Sequence, residues 1–320
     1  MHIKHQNHQL ALRPRHLAGL AGAAALGAAG VVLGAAAYAT ARMNNRLPDD
    51  FMSAYTFSPF ETRVEGYEEI SFRTADGLRL TGWWLPHPDS QRVVVGLAGH
   101  RSPKSDLLGI GSGLWRAGNN VLLFDWRSRG QSEIAQHSLA YYELRDAEAA
   151  LGYALGRVPG ARVGLVGFSM GASVAILLAA RDPRVAAVVA DSPFTGIAEV
   201  VAHGVAQLHL PASVVVPLAD ALTRWRHGYR FGAVRPVEAV AAISPRPLLL
   251  IHGSADSLIP VSHVHAFYEA AREPKERWIV EGMDHCGAYF ADRAAYVARV
   301  SEFFDRHLGS VESDSPERNR

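Results

Sequence analysis

The pentapeptide Gly-Phe-Ser-Met-Gly at residues 167–171 has the composition of a turn that presents a nucleophilic serine. It follows the apolar run 163–166 and precedes the Ala-rich run 172–181, which is a strand–sharp turn–helix context. The serine of such a strained turn needs glycine on both sides because its neighbours are pressed close together. The helix N-terminus that follows also stabilises negative charge at this point. Ser169 is therefore the predicted nucleophile.

A serine hydroxyl is a weak nucleophile until a base removes its proton, so one of the fifteen histidines has to act as that base. The last predicted strand, 277–281, is followed directly by Gly-Met-Asp-His at 282–285. When a serine nucleophile lies in a strand–turn–helix, the acidic residue comes next along the chain and the histidine comes last, and His285 fits this order. We predict that His285 is the general base.

A third residue should orient the imidazole and stabilise its charged form. Asp256 comes just after the predicted strand 247–251 and before His285, which makes it the first candidate. Asp191, at the end of the preceding strand, is a rival, and Asp284 is better suited to shape the histidine loop. Asp256 also suits the simpler role of capping the turn that follows it.

Acyl transfer also needs hydrogen-bond donors aimed at the oxygen that becomes negatively charged. The backbone N–H of Met170, directly after the serine, is one predicted donor of this oxyanion hole. The second should come from the loop after the predicted strand 93–98. We assign it to the backbone N–H of His100, with Arg101 as the alternative.

Five segments together resemble the small-cap serine hydrolases of the α/β-hydrolase superfamily, over roughly residues 60–308. They are Gly99-His100, Asp-Trp-Arg-Ser-Arg-Gly-Gln-Ser at 125–132, the pentapeptide at 167–171, His-Gly-Ser-Ala-Asp at 252–256, and Gly-Met-Asp-His at 282–285. That group includes prolyl-oligopeptidase-like domains, esterases and acyl-protein thioesterases. Two positions depart from the pattern: Ser128 stands where glycine is usual, and the usual His-Gly of the oxyanion loop reads Ala98-Gly99.

Predicted strands and helices alternate along the chain from about residue 60, and these elements must position the candidate residues. The runs 64–74 and 78–86 predict an N-terminal β-hairpin that turns at Asp76-Gly77. Six short apolar runs alternate with helical stretches, which is typical of a mostly parallel, doubly wound α/β sheet. The interval 192–246 contains no clear strand and predicts a small cap insertion. The resemblance implies the same architecture, the α/β-hydrolase fold.

The N-terminal segment, 1–45, is predicted to lie outside the hydrolase domain of residues 46–309, and 310–320 is predicted to be a disordered tail. A basic leader precedes 25 uncharged residues, 17–41, enough to span a bilayer as a helix. An uncleaved membrane anchor is favoured over a signal peptide cleaved near Ala-Tyr-Ala at 37–39. The basic residues before the run favour a cytoplasmic N-terminus and an extracytoplasmic catalytic domain.

Composition narrows the remaining function classes. The formal net charge of +1 argues against a nucleic-acid partner. The single cysteine, Cys286, allows no intramolecular disulfide and no thiolate metal site, and no sequence motif predicts a metal or cofactor. We expect a small-molecule or lipid-like acyl substrate, and esterase, lipase or thioesterase activity rather than peptidase activity. A non-catalytic binding protein and an acyltransferase are the alternatives, and no oligomeric state is predicted.

Overall fold

The computed structural model describes residues 14–45, 58–88 and 90–309 of the chain, with side chains from residue 26 onward. The basic leader before residue 14 and the predicted disordered tail, 310–320, lie outside the described residues.

The described strands form one sheet, built around the predicted apolar runs. They are β1 (Glu68–Arg73), β2 (Arg79–Leu85), β3 (Arg92–Leu97), β4 (Asn120–Phe124), β5 (Arg162–Phe168), β6 (Val185–Asp191), β7 (Leu248–Gly253) and β8 (Lys275–Val280). Their order in the sheet is β1-β2-β4-β3-β5-β6-β7-β8. The β1–β2 hairpin is antiparallel, and β2 pairs antiparallel with β4. Strands β3 to β8 all run parallel to one another. The predicted fold class is confirmed.

Some of the described helices cover the two faces of this sheet and others form the cap. They are α1 (Pro14–Asn44), α2 (Leu108–Arg116), α3 (Glu143–Arg157), α4 (Met170–Arg181), α5 (Ile197–Gln207), α6 (Ala212–His227), α7 (Pro236–Ala239), α8 (Ser262–Ala270), α9 (Ala288–Ala291) and α10 (Arg293–Leu308). Helices α2 and α10 pack together on one face, while α3, α4 and α7 pack on the other. Strands β3 to β7 are therefore buried almost throughout, as their continuous Val/Leu/Ile runs predict.

The first strand begins later than predicted. The run 64–74 suggests a long strand, but β1 starts at Glu68 and the residues before it form turns. The buried Val64 donates its N–H to the carbonyl of Pro59, so its apolar side chain packs into the core from a turn. An apolar residue that precedes a strand can therefore be part of the core without pairing in the sheet.

The cap insertion consists of helices, with α5 and α6 as its main elements. Helix α1 packs along α6, and Ala36, Thr40 and Met43 of α1 are buried there. The Thr40 hydroxyl donates to the carbonyl of Ala219 at 3.3 Å, and the hydroxyl of Tyr229 donates to Asn44 Oδ1 at 3.0 Å. The last turns of α1 thus pack into the hydrophobic core that the sheet and its helices form.

Helix α1 is, among the described helices, the one that is long and apolar enough to cross a membrane. Its segment Leu26–Asn44 has a mean hydropathy of 1.3. A helix of this kind near the N-terminus is compatible with a membrane anchor or with a signal sequence.

A buried ion pair fixes the loop after β4. Arg127 is 2% exposed and binds the fully buried carboxylate of Asp146 on α3, with its Nη2 2.7 Å from Oδ1. Its Nη1 also lies 3.1 Å from Oδ2 of Asp76 in the β1–β2 turn. Removing a partner of a buried cation destabilises the folded protein, because less of the buried charge is then compensated.

We expect Asp146→Ala to lower the free energy of unfolding by about 3 kcal/mol, the lower end of the cost of breaking a buried ion pair, because Arg127 loses its fully buried counter-ion but keeps the partly exposed Asp76. The matched control is Glu276→Ala, which removes an ion pair with Arg306 whose two side chains are 40% and 52% exposed. That change should cost about 0–1 kcal/mol. Urea unfolding of the full-length protein in a mild detergent measures both values, and equal losses would contradict the expectation.

Candidate active site

Ser169 lies in the turn between β5 and α4 with a positive φ of 52°, a strained conformation for a residue with a side chain. A Cβ added to Gly171 would overlap the carbonyl of Leu97, and one added to Gly167 would overlap the carbonyl of Gly171. The N–H of Ser169 donates to the carbonyl of Asp191 at 2.8 Å. The two glycines therefore allow the close backbone contacts that hold the serine above the sheet.

Ser169, His285 and Asp256 form a continuous hydrogen-bonded chain. His285 Nδ1 lies 2.8 Å from Asp256 Oδ2, and its Nε2 lies 2.9 Å from Ser169 Oγ. An ionised carboxylate only accepts hydrogen bonds, so Nδ1 carries the ring proton and Nε2 is left to accept from the serine hydroxyl. This is the tautomer in which the imidazole can remove a proton from the serine.

Asp256 is held in place by several donors. Its Oδ1 accepts the backbone N–H groups of Leu258 at 3.0 Å and Ile259 at 2.7 Å. Burial alone would raise the pKa of Asp256, but hydrogen bonds from His252, His285 and the Ile259 N–H outweigh it and hold the pKa well below its usual range. Asp256 therefore caps the turn that follows it and also binds the imidazole, so the two readings of this residue are compatible.

Two residues outside the predicted site support this arrangement. His252 Nε2 lies 2.7 Å from the carbonyl of Ile259 and 3.3 Å from Asp256 Oδ2, so it carries a proton directed at both oxygens. Asp284 Oδ1 accepts from the N–H of Ser257 and from the N–H of His285, both at 2.8 Å. His252 stands in the His-Gly-Ser-Ala-Asp segment, which was a sequence signal for its proximity to Asp256.

The rival carboxylate, Asp191, is hydrogen-bonded to other residues. It is fully buried, and it accepts hydrogen bonds from the hydroxyls of Tyr296 at 2.8 Å and Ser192 at 3.0 Å. Burial raises the pKa of Asp191. Between the two sequence candidates for the third residue, the structure brings Asp256 and not Asp191 into contact with His285.

The two predicted oxyanion-hole residues flank the serine. Met170 is the first residue of α4, where a backbone N–H has no partner within the helix. The loop of Gly99 and His100 approaches from β3, and a Cβ added to Gly99 would lie 3.7 Å from the Cβ of Ser169. The indole N–H of Trp126 donates to the carbonyl of Ala98 at 3.0 Å and fixes the start of this loop.

The imidazole of His100 connects this loop to α1. Its Nε2 lies 3.1 Å from the carbonyl of Met43. Burial, with the cation of Arg101 nearby, lowers the pKa of His100 to about 3, so the ring is neutral near pH 7 and its Nε2–H donates to that carbonyl. The end of the N-terminal helix is thus bonded to the loop that approaches Ser169.

A cavity of about 540 Å³ opens beside Ser169 and His285. Its walls are mainly apolar and include Leu107, Ile110, Leu139, Phe168, Phe194 and Ile259. Arg42 and Met43 at the end of α1 and Val200 of α5 also line it. A cavity of this size and polarity suits a small-molecule ligand with an extended apolar part.

The described residues include no group of three or more His, Cys, Asp or Glu side chains that could hold a metal ion. What the site does contain is a serine hydroxyl hydrogen-bonded to an imidazole that can accept its proton, and a carboxylate behind that imidazole. This arrangement is suited to nucleophilic attack on a carbonyl carbon.

Comparison with known proteins identifies similar sequences. The profile of a family described as "alpha/beta hydrolase fold" matches residues 93–215. The protein YqkD of Bacillus subtilis is 34% identical over 199 residues, which are 61% of this chain and 65% of that protein, slightly less than two thirds of its length. The protein Rv2307c of Mycobacterium tuberculosis is 34% identical over 244 residues, which are 73% of this chain and 78% of that protein.

Solved structures also resemble this one. The esterase Pf2001 of Pyrococcus furiosus superposes with a TM-score of 0.68 at 27% sequence identity. The superposition covers 83% of this chain and 99% of the esterase.

Gly171→Ala should destabilise the protein by about 1–3 kcal/mol, because its new Cβ would overlap the backbone of Leu97. A crystal structure of this variant should show Ser169 Oγ beyond hydrogen-bond distance of His285 Nε2. The matched control is Gly152→Ala in α3, where a Cβ meets nothing within 4 Å.

Since alanine is the better helix residue, the Gly152→Ala control should stabilise the protein by about 0.5–1 kcal/mol. Thermal unfolding of both variants against the wild type gives the comparison. A Gly171→Ala variant that is as stable as the wild type and keeps the serine–histidine contact would contradict the steric account of this turn.

Proposed function

The chain belongs to the α/β-hydrolase superfamily, and on that premise we propose that it is a serine hydrolase that cleaves a carboxylic ester, thioester or amide. In this proposal Ser169 is the nucleophile, His285 is the general base, and Asp256 orients the imidazole. The observation that carries the proposal is the hydrogen-bonded chain Ser169–His285–Asp256 at the wall of the apolar cavity. The geometric similarity to an esterase supports the same reaction class.

Acylation begins when the substrate carbonyl lies against Ser169. The serine Oγ forms a bond to the carbonyl carbon while its proton passes to His285 Nε2, and the carbonyl oxygen becomes an oxyanion. The N–H of Met170 and an N–H of the loop at His100 are the donors proposed to stabilise this oxyanion, each worth about 3–4 kcal/mol in the transition state. When the intermediate collapses, the bond to the leaving group breaks and that group takes the proton from His285.

Deacylation repeats these steps with water. His285 Nε2 takes a proton from water as the water oxygen attacks the acyl carbon, and the serine leaves with that proton. Asp256 stabilises the imidazolium at both stages. Because hydrogen bonds hold the pKa of Asp256 well below its usual range, this carboxylate stays ionised at neutral and moderately acidic pH.

The apolar walls of the cavity favour an ester with an apolar acyl group over a peptide. These walls are formed mainly by aliphatic and aromatic side chains, which would desolvate an acyl chain without leaving its atoms unpaired. A peptide would bring backbone donors and acceptors that need polar partners. The proposed substrates are therefore acyl esters or thioesters of small-molecule or lipid-like alcohols and thiols.

We also propose that α1 is retained as a membrane anchor, with the catalytic domain outside the cytoplasm. Cleavage after Ala39 would remove Ala36 from the core and leave Thr40, which bonds to the cap, as a charged N-terminus. The positive charges that precede the apolar run favour a cytoplasmic N-terminus.

The first experiment is labelling of the full-length protein in detergent with a fluorescent fluorophosphonate. The wild type should label, and Ser169→Ala and His285→Ala should not, because the probe needs an activated serine. Asp256→Asn should hydrolyse a soluble acyl ester about 10⁴-fold more slowly, since the wrong imidazole tautomer would then face the serine.

Ser262→Ala is the matched control, since Ser262 is an exposed serine at the start of α8 and should leave labelling unchanged. A folded wild type that does not label would exclude the proposed triad and favour a binding protein that uses this fold. A wild type that labels but passes its acyl group to an alcohol or amine instead of water would identify an acyltransferase.

The anchor proposal predicts that the mature protein keeps its N-terminus. The membrane fraction should hold a species whose intact mass includes residues 1–39, and alkaline carbonate should not extract it. A mature species that begins at Thr40 would overturn the proposal and identify the segment as a cleaved signal.

A further inference from the structure

The cap contains an unusually long uncharged stretch. Residues 200–219, which run from α5 through the connection 208–211 into α6, contain no Asp, Glu, Lys or Arg. Charged residues make up 20% of this chain, so a 20-residue segment that is partly exposed and contains none is not typical of a surface in water. We refer to α5, α6 and the connection between them as the cap hairpin.

Apolar side chains of the cap hairpin point outward. Leu208 is 61% exposed, Val214 is 47% exposed and Leu218 is 37% exposed. Val214 and Leu218 are one helical turn apart on α6, so they lie on the same outward face.

The cap hairpin and α1 are aligned along a common direction. Thr40 of α1 bonds to Ala219, and Asn44, one turn later, bonds to Tyr229 just beyond α6. The two helices therefore run side by side in the same direction. Because both rise by about 1.5 Å per residue, Val32 of α1 lies level with the start of α6.

Because of this alignment, the uncharged parts of α1 and α6 end at nearly the same height along the two helices. The uncharged run of α1 ends at Ala41, and the exposed Arg42 follows it. Beside that end, α6 carries the exposed residues Arg224, Trp225 and Arg226, about 10 Å beyond Leu218. Tryptophan and arginine at one level, next to a stretch such as 200–219 that contains no Asp, Glu, Lys or Arg, are typical of a membrane–water interface. Asp220, which lies between the two, accepts the backbone N–H of Phe231.

The active-site cavity lies next to the same elements. Met43 of α1 and Val200 of α5 line it, as does Leu258, which is 52% exposed at its rim. The loop that carries Leu258 is attached to the cap hairpin, because Gln207 of α5 donates to the carbonyl of Ser257 at 3.0 Å. The rim of the cavity is thus connected directly to the uncharged surface.

We propose that the cap hairpin dips into the same lipid bilayer as α1, and that the substrate is the acyl ester of a bilayer lipid that reaches Ser169 from the membrane side. The part that concerns the substrate rests on the proposed hydrolase function, whereas the insertion of the cap hairpin does not. Acyl chains match the cavity walls, and a lipid that enters beside α1 would not have to cross water.

Insertion is tested with full-length protein in vesicles of phosphatidylcholine and phosphatidylglycerol. Val214→Cys is labelled with the environment-sensitive fluorophore NBD and compared with Phe60→Cys. Phe60 is 76% exposed and lies two residues before Thr62, whose carbonyl accepts from Arg116 at the last turn of α2, whereas the cavity is lined by Leu107 and Ile110 near the start of α2. Wild type treated in parallel corrects for any reaction of Cys286, whose thiol pKa is raised by burial.

The probe at 214 should be quenched by nitroxide-bearing phosphatidylcholine and protected from iodide in the water, and the probe at 60 should behave in the opposite way. Iodide quenching of the probe at 214 equal to that at 60 would overturn the insertion of the cap hairpin. Fluorophosphonate labelling of the same samples reports separately on Ser169. If the probe at 214 is shielded but the protein does not label, the insertion of the cap hairpin stands and the proposed hydrolase function is excluded.

Substrate entry is tested with the triple variant Leu208→Ser, Val214→Ser and Leu218→Ser. Hydrolysis of a long-chain acylglycerol in vesicles should fall about tenfold or more, because less apolar surface holds the rim at the bilayer. Hydrolysis of p-nitrophenyl butyrate in solution should stay within about twofold of the wild type, as should both activities of Phe60→Ser. Equal rates of wild type and triple variant on the vesicle ester would overturn membrane-side entry.

Discussion

The whole site depends on how closely three backbone segments approach one another around Ser169. The serine keeps its positive φ because the absence of a side chain at Gly167 lets the start of α4 approach the turn, and its absence at Gly171 lets the end of β3 do the same. Since β5 is central and parallel to both neighbours, this turn stands at the carboxyl edge of the sheet, where the loops after β7 and β8 also emerge. One steric condition at two glycines thus determines where a hydroxyl can meet an imidazole.

Pairing of the last two strands supplies the other half of the arrangement. Gly253 of β7 is in register with Val280 of β8, and the ladder continues into the loops, where the N–H of Ala255 donates to the carbonyl of Met283 at 3.0 Å. The carboxylate of Asp256 and the ring of His285 therefore meet because their loops are paired by backbone hydrogen bonds. The depressed pKa of Asp256 follows from the donors that this pairing collects around it.

Much of this could be predicted from the sequence because it depends on local order along the chain. Glycine spacing around Ser169, the apolar runs and the positions of Asp256 and His285 after their strands are all readable without tertiary contacts. The choice between Asp256 and Asp191 was not readable, because both follow strands that end at the same edge of the sheet. Tyr296, which is 105 positions further along the chain, binds Asp191, and such a partner cannot be inferred from spacing.

The packing of α1 against the domain could not be predicted from the sequence either. An uncharged helix near the N-terminus has the same composition whether it only anchors a domain or also packs against it. The difference lies in a few polar contacts: Thr40 and Asn44 bond to the cap, and His100 bonds to the carbonyl of Met43. A buried polar group without a hydrogen-bond partner destabilises the folded state, so these contacts fix the helix in one position on the domain. The loop that approaches Ser169 is therefore supported in part by α1, and this helix and the proposed oxyanion loop form one structural unit.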